Sequence, residues 1–142
     1  MARALKHIDL QRVAKTAEAI ERVFETDAIQ NAALRERHLG MLQGLTMDET
    51  PKQEPELWKS HLNSNLDENL RNGESMQQFA DCIKIVLEQI RKQHIGKTIL
   101  LVSHGGALDM MYRIASNQAW DAEKAVAVLN ASLNWISHDG LG

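Results

Sequence analysis

A histidine followed by two glycines lies where an apolar stretch of the chain gives way to a helical pattern. Residues 99–113 read ILLVSHGGALDMMYR, and His104 stands between the apolar run and the glycines. Ligands of open α/β sheets bind beyond the carboxyl ends of the strands. The glycines let the backbone pass close to a ligand, and the first turn of a helix favours an anion. A histidine there can donate a hydrogen bond to a phosphate oxygen or attack phosphorus.

Two other stretches carry side chains that suit phosphate chemistry. Arg12 falls in the first turn of a predicted helix, in DLQRVAKTAEAI (9–20), and its planar guanidinium suits two-point contacts to phosphate. Glu36 stands among arginines in LRERHLGMLQG (34–44), and a carboxylic acid beside a phosphate can protonate a leaving alcohol. Taken singly, each stretch is as typical of a solvated surface as of a site, and His104 is as typical of a capping residue.

The elements that must position these residues alternate between helices and buried strands. Apolar residues at helical spacing predict helices from the cap Asp9 to about Phe24, from the cap Ser75 to just before Gly96, and over Leu108–Ile114. The run TILLVS (98–103) is typical of a strand buried on both faces, and NASLNWI (130–136) alternates with the period of a strand. This order predicts an α/β domain with a largely parallel sheet. Two convincing strands are too few for the centre of such a sheet.

Length and composition restrict the class of protein. A chain of 142 residues, of which 44% are hydrophobic, suits one domain. The net charge of −3 offers no basic face for nucleic acid, and no apolar run approaches the ~20 residues of a membrane span. The single cysteine, Cys82, cannot form an internal disulfide, so we expect a reducing, cytoplasmic setting. Residues 46–73 are polar and hold both prolines, which predicts a surface excursion or lid within the single domain.

Five stretches together resemble the histidine phosphatase superfamily, the phosphoglycerate mutase-like enzymes. They are DLQR…TAEAI (9–20), LRERHLGMLQGLT (34–46), NGESMQQF (72–79), LLVSHGG (100–106) and NASLNWI (130–136). The resemblance covers roughly residues 9–139. It implies a three-layer α/β/α phosphoglycerate mutase-like fold, here with an incomplete, mostly parallel sheet.

The resemblance also implies a reaction and the residues that take part in it. Enzymes of this family transfer or hydrolyse phosphate through a phosphohistidine, in a pocket of two histidines and two arginines that needs no metal or other cofactor. By motif, Arg12 is a phosphate-binding arginine and Glu36 is the general acid. His104 is the second histidine, which contacts the phosphate beside Gly105 and is not the nucleophile. The expected partner is a phosphorylated small molecule.

The sequence departs from the family pattern near its amino-terminal end. The nucleophile belongs to an Arg-His-Gly motif on the family's first strand, and because no Arg-His-Gly occurs in the 142 residues, that first strand is expected to be absent. The strand that usually precedes DLQR is expected to be missing or a stub, because ALKHI (4–8) runs straight into Asp9. Covalent catalysis needs the attacking imidazole, and His7 is a poor substitute because no glycine follows it, so we expect little or no activity.

Three interpretations of the function therefore remain. The first is a truncated histidine phosphatase-like domain with a partial phosphate site and no turnover. The second is a fragment or mis-started form of an active phosphatase or mutase, although loss of the strand before Asp9 argues for an internal deletion. The third is a non-catalytic module that binds a phosphorylated ligand or forms a homodimer through an exposed sheet edge.

Overall fold

The computed structural model of the chain describes residues 2–7, 11–63, 66–120, 122 and 127–137, and for residues 2–7 and Arg12 it describes the backbone. The elements are β1 (Ala2–His7), α1 (Gln11–Phe24), β2 (Ala28–Gln30), α2 (Thr50–Gln53), α3 (Pro55–Leu62), α4 (Met76–Gln93), β3 (Thr98–Val102) and α5 (Gly105–Ala115). Two 3₁₀ turns, Ala32–Leu34 and Gly40–Leu42, lie between β2 and α2.

The three described strands form one parallel sheet in the order β2-β1-β3. His7 at the end of β1 lies opposite Gln30 of β2 and Val102 of β3, so the carboxyl ends of all three strands meet at one edge. The expectation of a missing or stub strand before DLQR is wrong, because Ala2–His7 is a six-residue strand at the centre of this sheet. A central strand gains backbone hydrogen bonds on both sides, and those partners are distant in the sequence.

The helices were largely predicted by the apolar spacing. α1 ends at Phe24 as expected and buries Val13 and Ala17, but Val23 and Phe24 in its last turn are exposed. The predicted cap Asp9 lies outside the described residues. Helix α4 begins with a capping box, in which the Ser75 hydroxyl accepts from the N–H of Gln78 and the Gln78 side chain accepts from the N–H of Ser75.

The main core forms where α4 and α5 pack together, with α1 and the first 3₁₀ turn contributing to it. Its buried side chains are Val13, Leu34, Phe79, Ala80, Ile83, Val86, Ile90, Ala107, Met110 and Met111. Cys82 is a half-buried free thiol whose pKa is raised mainly by burial. The core thus holds α5 firmly, and the first turn of α5 is where the candidate site lies.

The strand predicted over residues 130–136 is not observed. Residues 127–137 contain no strand, and Leu133 and Trp135 are 66% and 78% exposed. A strand needs a neighbour to share its backbone hydrogen bonds, and none of the described strands pairs with this segment. The apolar alternation in residues 130–136 therefore shows only which side chains would share one face if the segment formed a strand.

β3 is also less buried than predicted. Its apolar residues 99–102 are all only partly covered, whereas the sequence predicted a strand buried on both faces. The strand lies at the edge of the described sheet, with β1 on one side and no described strand on the other. An edge strand has fewer neighbours over its side chains, which accounts for the difference.

The polar segment 46–73 forms two short helices, α2 and α3, followed by turns. Each helix has a proline in its first turn, where the missing N–H costs nothing. Leu57 of α3 and Leu70 are buried against Leu42 in a small second cluster, separate from the main core. Within the described ranges, no helix is long and apolar enough to cross a bilayer.

Candidate functional site

His104 and the two glycines form the junction between β3 and α5, as the sequence predicted. His104 is the N-cap residue of α5 in extended conformation, and it is 8% exposed. Its carbonyl accepts the first helical hydrogen bond, from Leu108 N at 2.9 Å, but its side chain makes no capping bond. The first-turn N–H groups of α5 therefore need acceptors from elsewhere in the chain.

Glu36 supplies that acceptor from a distant loop. Its Oε2 accepts a hydrogen bond from the backbone N–H of Gly106 at 2.9 Å, across 70 positions of sequence. Its Oε1 accepts from the N–H of Arg37 at 3.2 Å. A Cβ atom on Gly106 would overlap the Glu36 carboxylate, whereas a Cβ on Gly105 would meet nothing within 4 Å. The second glycine of the pair is thus the one that lets the carboxylate approach the helix.

The loop that carries Glu36, residues 34–44 and hereafter the acid loop, is tied to β3 and to the end of segment 46–73. Ser103 Oγ donates to the carbonyl of Leu34 at 2.5 Å, which joins the loop to the end of β3. Arg37 is 7% exposed, and its guanidinium donates to the carbonyl of Glu74 at 2.7 Å and to that of Glu68 at 3.0 Å. Burial lowers the pKa of Arg37, and the charges of Glu74 and Glu68 oppose that shift.

Two glycines let the acid loop and residues 68–75 lie backbone against backbone. Gly40 has a φ of +52°, and a Cβ there would overlap the carbonyl oxygen of Leu70. A Cβ on Gly73 would lie 2.5 Å from both Gly40 N and the carbonyl oxygen of His38. Side chains are excluded at both positions, so the acid loop is held by rigid backbone contacts. This predicts that the backbone at Glu36 has a well-defined place in the molecule.

Arg12 is the second residue of α1, which follows the carboxyl end of β1. β1 and β3 are adjacent and parallel, so the start of α1 and the start of α5 follow neighbouring strands at the same edge of the sheet. The side chain of Arg12 is outside the description. The structure therefore brings Glu36, His104 and Gly105 to one junction, and it places the Arg12 backbone beyond the end of the adjacent strand.

Sequence reasoning missed two residues of this site. Gly106 was treated only as part of a turn, yet it is the residue that contacts Glu36. The doubled glycine was the available signal, because one glycine suffices for a turn and the second marks a close approach. Arg37 looks like its neighbour Arg35 in sequence, but Arg37 is buried and Arg35 is largely exposed. No local pattern separates these two arginines.

Two other features bear on what the site could hold. Among the described residues, no group of three or more His, Cys, Asp or Glu side chains could hold a metal ion. A cleft of about 450 Å³ lies at the opposite end of α5, between Ile114–Trp120 and Lys84 of α4, away from the β3–α5 junction.

Comparison with known proteins gives a consistent result over nearly the whole chain. The sequence profile of the histidine phosphatase superfamily (branch 1) matches residues 6–142. A metal-independent phosphoserine phosphatase of Arabidopsis thaliana is 40% identical over 130 residues, which are 90% of this chain and 53% of the relative. A probable phosphoglycerate mutase of Escherichia coli is 35% identical over 132 residues, covering 92% of this chain and 60% of the relative. The chain spans between half and two thirds of the length of these relatives.

Solved structures show the same fold. YhfR of Bacillus stearothermophilus superposes with a TM-score of 0.77 and 25% identity, over 84% of this chain and 59% of that one. A mycobacterial glucosyl-3-phosphoglycerate phosphatase in complex with VO3 superposes with a TM-score of 0.76 and 23% identity, over 93% of this chain and 67% of that one. The α/β fold expected from the sequence motifs is therefore confirmed, and the three strands that the structure describes are parallel, as expected.

Proposed function

This chain belongs to the histidine phosphatase superfamily (branch 1), and from that premise we propose that it carries a phosphate-monoester site at the β3–α5 junction. The observation that carries the proposal is the contact of Glu36 with the Gly106 N–H, which joins two of the family-like motifs at the first turn of α5. That turn offers N–H groups and the positive end of a helix dipole to an anion. Two motifs far apart in the sequence thus converge where a phosphate would be favoured.

Each residue of the proposed site has a distinct role. His104 donates a hydrogen bond to a phosphate oxygen, and the backbone at Gly105 lies close to the same oxygen. Arg12 contributes positive charge from the start of α1. Glu36 is the proton donor to a leaving alcohol. The end of segment 46–73 borders the site, because Arg37 ties it to the acid loop.

We propose that these 142 residues do not turn over phosphate esters. The family reaction passes through a phosphohistidine, so it needs an imidazole that attacks phosphorus, and the chain holds no Arg-His-Gly motif. Groups that catalyse as a unit do not keep partial shares of the rate when one is absent. Binding of phosphate and proton donation could persist without covalent chemistry.

Binding of an inorganic probe tests the phosphate site. Orthovanadate and inorganic phosphate should each raise the melting temperature of the wild-type protein, since a ligand that binds only the folded state stabilises it. His104→Ala should abolish that rise, whereas His94→Ala, at the far end of α4, should leave it intact. An unchanged melting temperature for the wild type at millimolar phosphate would refute the proposed site.

An activity assay tests the proposed lack of turnover. The 142-residue protein should not hydrolyse p-nitrophenyl phosphate above the rate of its His104→Ala variant. A longer protein that carries a preceding strand with Arg-His-Gly should hydrolyse it, and that activity should depend on Glu36. Turnover by the 142 residues that is lost on His104→Ala would overturn this part of the proposal.

The substrate class remains that of small phosphate monoesters. The relatives' names specify phosphoserine phosphatase and phosphoglycerate mutase, and the short excursion over 46–73 favours a broad phosphomonoesterase ancestry. If the same residues occur in a longer active polypeptide, an in-frame Arg-His-Gly should be encoded upstream of Met1. Sequencing the DNA upstream of the Met1 codon distinguishes a longer active polypeptide from an inactive domain.

A second candidate function is that of a dimerising module. β3 has no partner on its outer side among the described strands, and the uncharged segment 127–137 exposes the apolar side chains of Leu129, Leu133, Trp135 and Ile136. Unpaired edges and extended apolar segments are complementary, and segment 127–137 would become extended by opening its turn at Ala131, where φ is +56°. We propose that segment 127–137 of one copy adds to the β3 edge of a second copy. Sedimentation of the protein as a monomer at all concentrations would refute this.

A further inference from the structure

The Glu36 carboxylate occupies the place at the first turn of α5 that the proposed function gives to phosphate. Its Oε2 takes the hydrogen bond of the Gly106 N–H at 2.9 Å, and the side chain of the N-cap residue His104 makes no capping bond to this turn. A carboxylate and a phosphate are both acceptors with negative charge. They compete for the same N–H group and repel each other when close.

The contact is made by the end of a flexible side chain on a fixed backbone. Ser103 and Arg37 hold the acid loop on either side of Glu36, through hydrogen bonds of 2.5 Å to Leu34 O and 2.7 Å to Glu74 O. The loop backbone is therefore held in place, and rotation of the Glu36 side chain is the small movement that can free the Gly106 N–H. A change in one side chain is therefore enough to break the contact.

We propose that Glu36 is an internal competitor of the phosphate ligand, and that an anion must displace its carboxylate from the Gly106 N–H in order to bind. This inference rests on the proposed phosphate site and adds to it a second role for the proton donor. For a residue that only helps to bind substrate, substitution would weaken phosphate binding, and the inference predicts the opposite effect for Glu36. Removal of the Glu36 charge strengthens phosphate binding.

Titration with inorganic phosphate, followed by the amide resonance of Gly106 in ¹H–¹⁵N spectra, tests the inference. Glu36→Ala should bind phosphate roughly tenfold more tightly than the wild type, because a like-charge contact has been removed. Glu36→Gln keeps an oxygen that can cap α5, so it should fold normally and also bind more tightly. Glu88→Ala removes one negative charge from the exposed face of α4 and should bind like the wild type.

The possible outcomes separate this inference from the function on which it rests. Tighter binding by both Glu36 variants, with a shifted Gly106 resonance and an unchanged Glu88→Ala protein, supports it. Wild-type binding that equals or exceeds that of both Glu36 variants overturns the inference and leaves the phosphate site standing. If neither the wild type nor the Glu36 variants shift the Gly106 resonance with phosphate, the proposed site fails and the inference fails with it.

Discussion

At the level of single residues, Gly105 and Gly106 are neighbours with different surroundings. A side chain at position 105 would enter open space, whereas one at position 106 would overlap the Glu36 carboxylate. Both residues lie in the first turn of α5, so their helix propensities should matter about equally. The pair therefore isolates the contribution of Glu36 to the junction.

We predict that Gly106→Ala is less stable than Gly105→Ala by about 1 kcal/mol. Alanine at position 105 restricts the unfolded chain at no cost in the folded protein. Alanine at position 106 gains the same restriction but expels Glu36, and loss of a capping hydrogen bond costs about 1 kcal/mol. Urea denaturation of the two variants beside the wild type measures the difference. Equal stabilities would mean that the Glu36–Gly106 hydrogen bond contributes nothing to folding.

The two arginines that flank Glu36 offer a second comparison. Arg37 is buried and donates to two backbone carbonyls, while Arg35 is 51% exposed with one ion-pair distance of 3.8 Å to Glu74. We predict that Arg37→Met lowers the free energy of unfolding by about 3 kcal/mol, because buried carbonyls lose charged donors. Arg35→Met should change it by less than about 0.5 kcal/mol. Denaturant unfolding of both variants checks this, and similar losses would contradict the assigned role of Arg37.

At the level of elements, α3 carries a pair of ring side chains three positions apart in its own sequence. Trp58 and His61 have ring centroids 5.6 Å apart, and His61 Nδ1 is buried with no hydrogen bond in the described part of the chain. Burial lowers the pKa of His61 below its usual 6.5, and the nearby charge of Arg37 lowers it further. Burial and the nearby guanidinium of Arg37 therefore both favour a neutral imidazole at His61.

The lowered pKa of His61 predicts that acid weakens the protein. The unfolded chain takes up a proton at His61 near pH 6.5, before the folded protein does. The stability from neutral His61 is thus present above that pH and is lost as the pH falls below it. His61→Gln should show a smaller loss of stability than the wild type between about pH 7.5 and 5.5. Urea unfolding measures the free energy of unfolding of both proteins at each pH. An equal loss of stability in the wild type and in His61→Gln would exclude protonation of His61 as the cause.

The elements also show how far the sequence could predict this molecule. Helix α4 was predicted correctly, because its cap, apolar stripe and terminal Gly96 are all local signals. β1 and the segment 130–136 were predicted wrongly, because a strand exists only with a neighbour from another part of the chain. β2 has three residues, which is too short to display a strand period. Local patterns thus located the site motifs in the sequence, but they did not predict the strand pairing that brings those motifs to one edge of the sheet.

Local patterns in the sequence identify only some residues of the candidate site. Glu36 and His104 stand in motifs specific enough to name, and the structure brings their segments together at Gly106. The burial of Arg37 was not predictable, because it depends on carbonyls of Glu68 and Glu74 that lie more than 30 residues away. Contacts that position a site are tertiary, and the sequence around a residue does not contain them.

At the level of the whole molecule, the described residues include a sheet edge and an apolar segment that do not pair with each other. β3 leaves one side unpaired among the described strands, and the segment 127–137 exposes Leu133 and Trp135. Proteins protect such edges with charges, prolines or bulges, and neither segment contains a charged residue or a proline. Self-association would cover both features at once.

Strand addition makes a specific prediction about which substitutions prevent association. In an extended strand Leu133 and Trp135 share one face and Asn134 lies on the other. If segment 127–137 adds to the β3 edge of a second copy, the wild type should sediment above its 16.0 kDa monomer mass as concentration rises. Leu133→Lys should shift this transition to roughly tenfold higher concentration, because a charge on the covered face must be desolvated. Asn134→Lys should have little effect, and an equal effect of both lysines would indicate non-specific attraction instead of a paired strand.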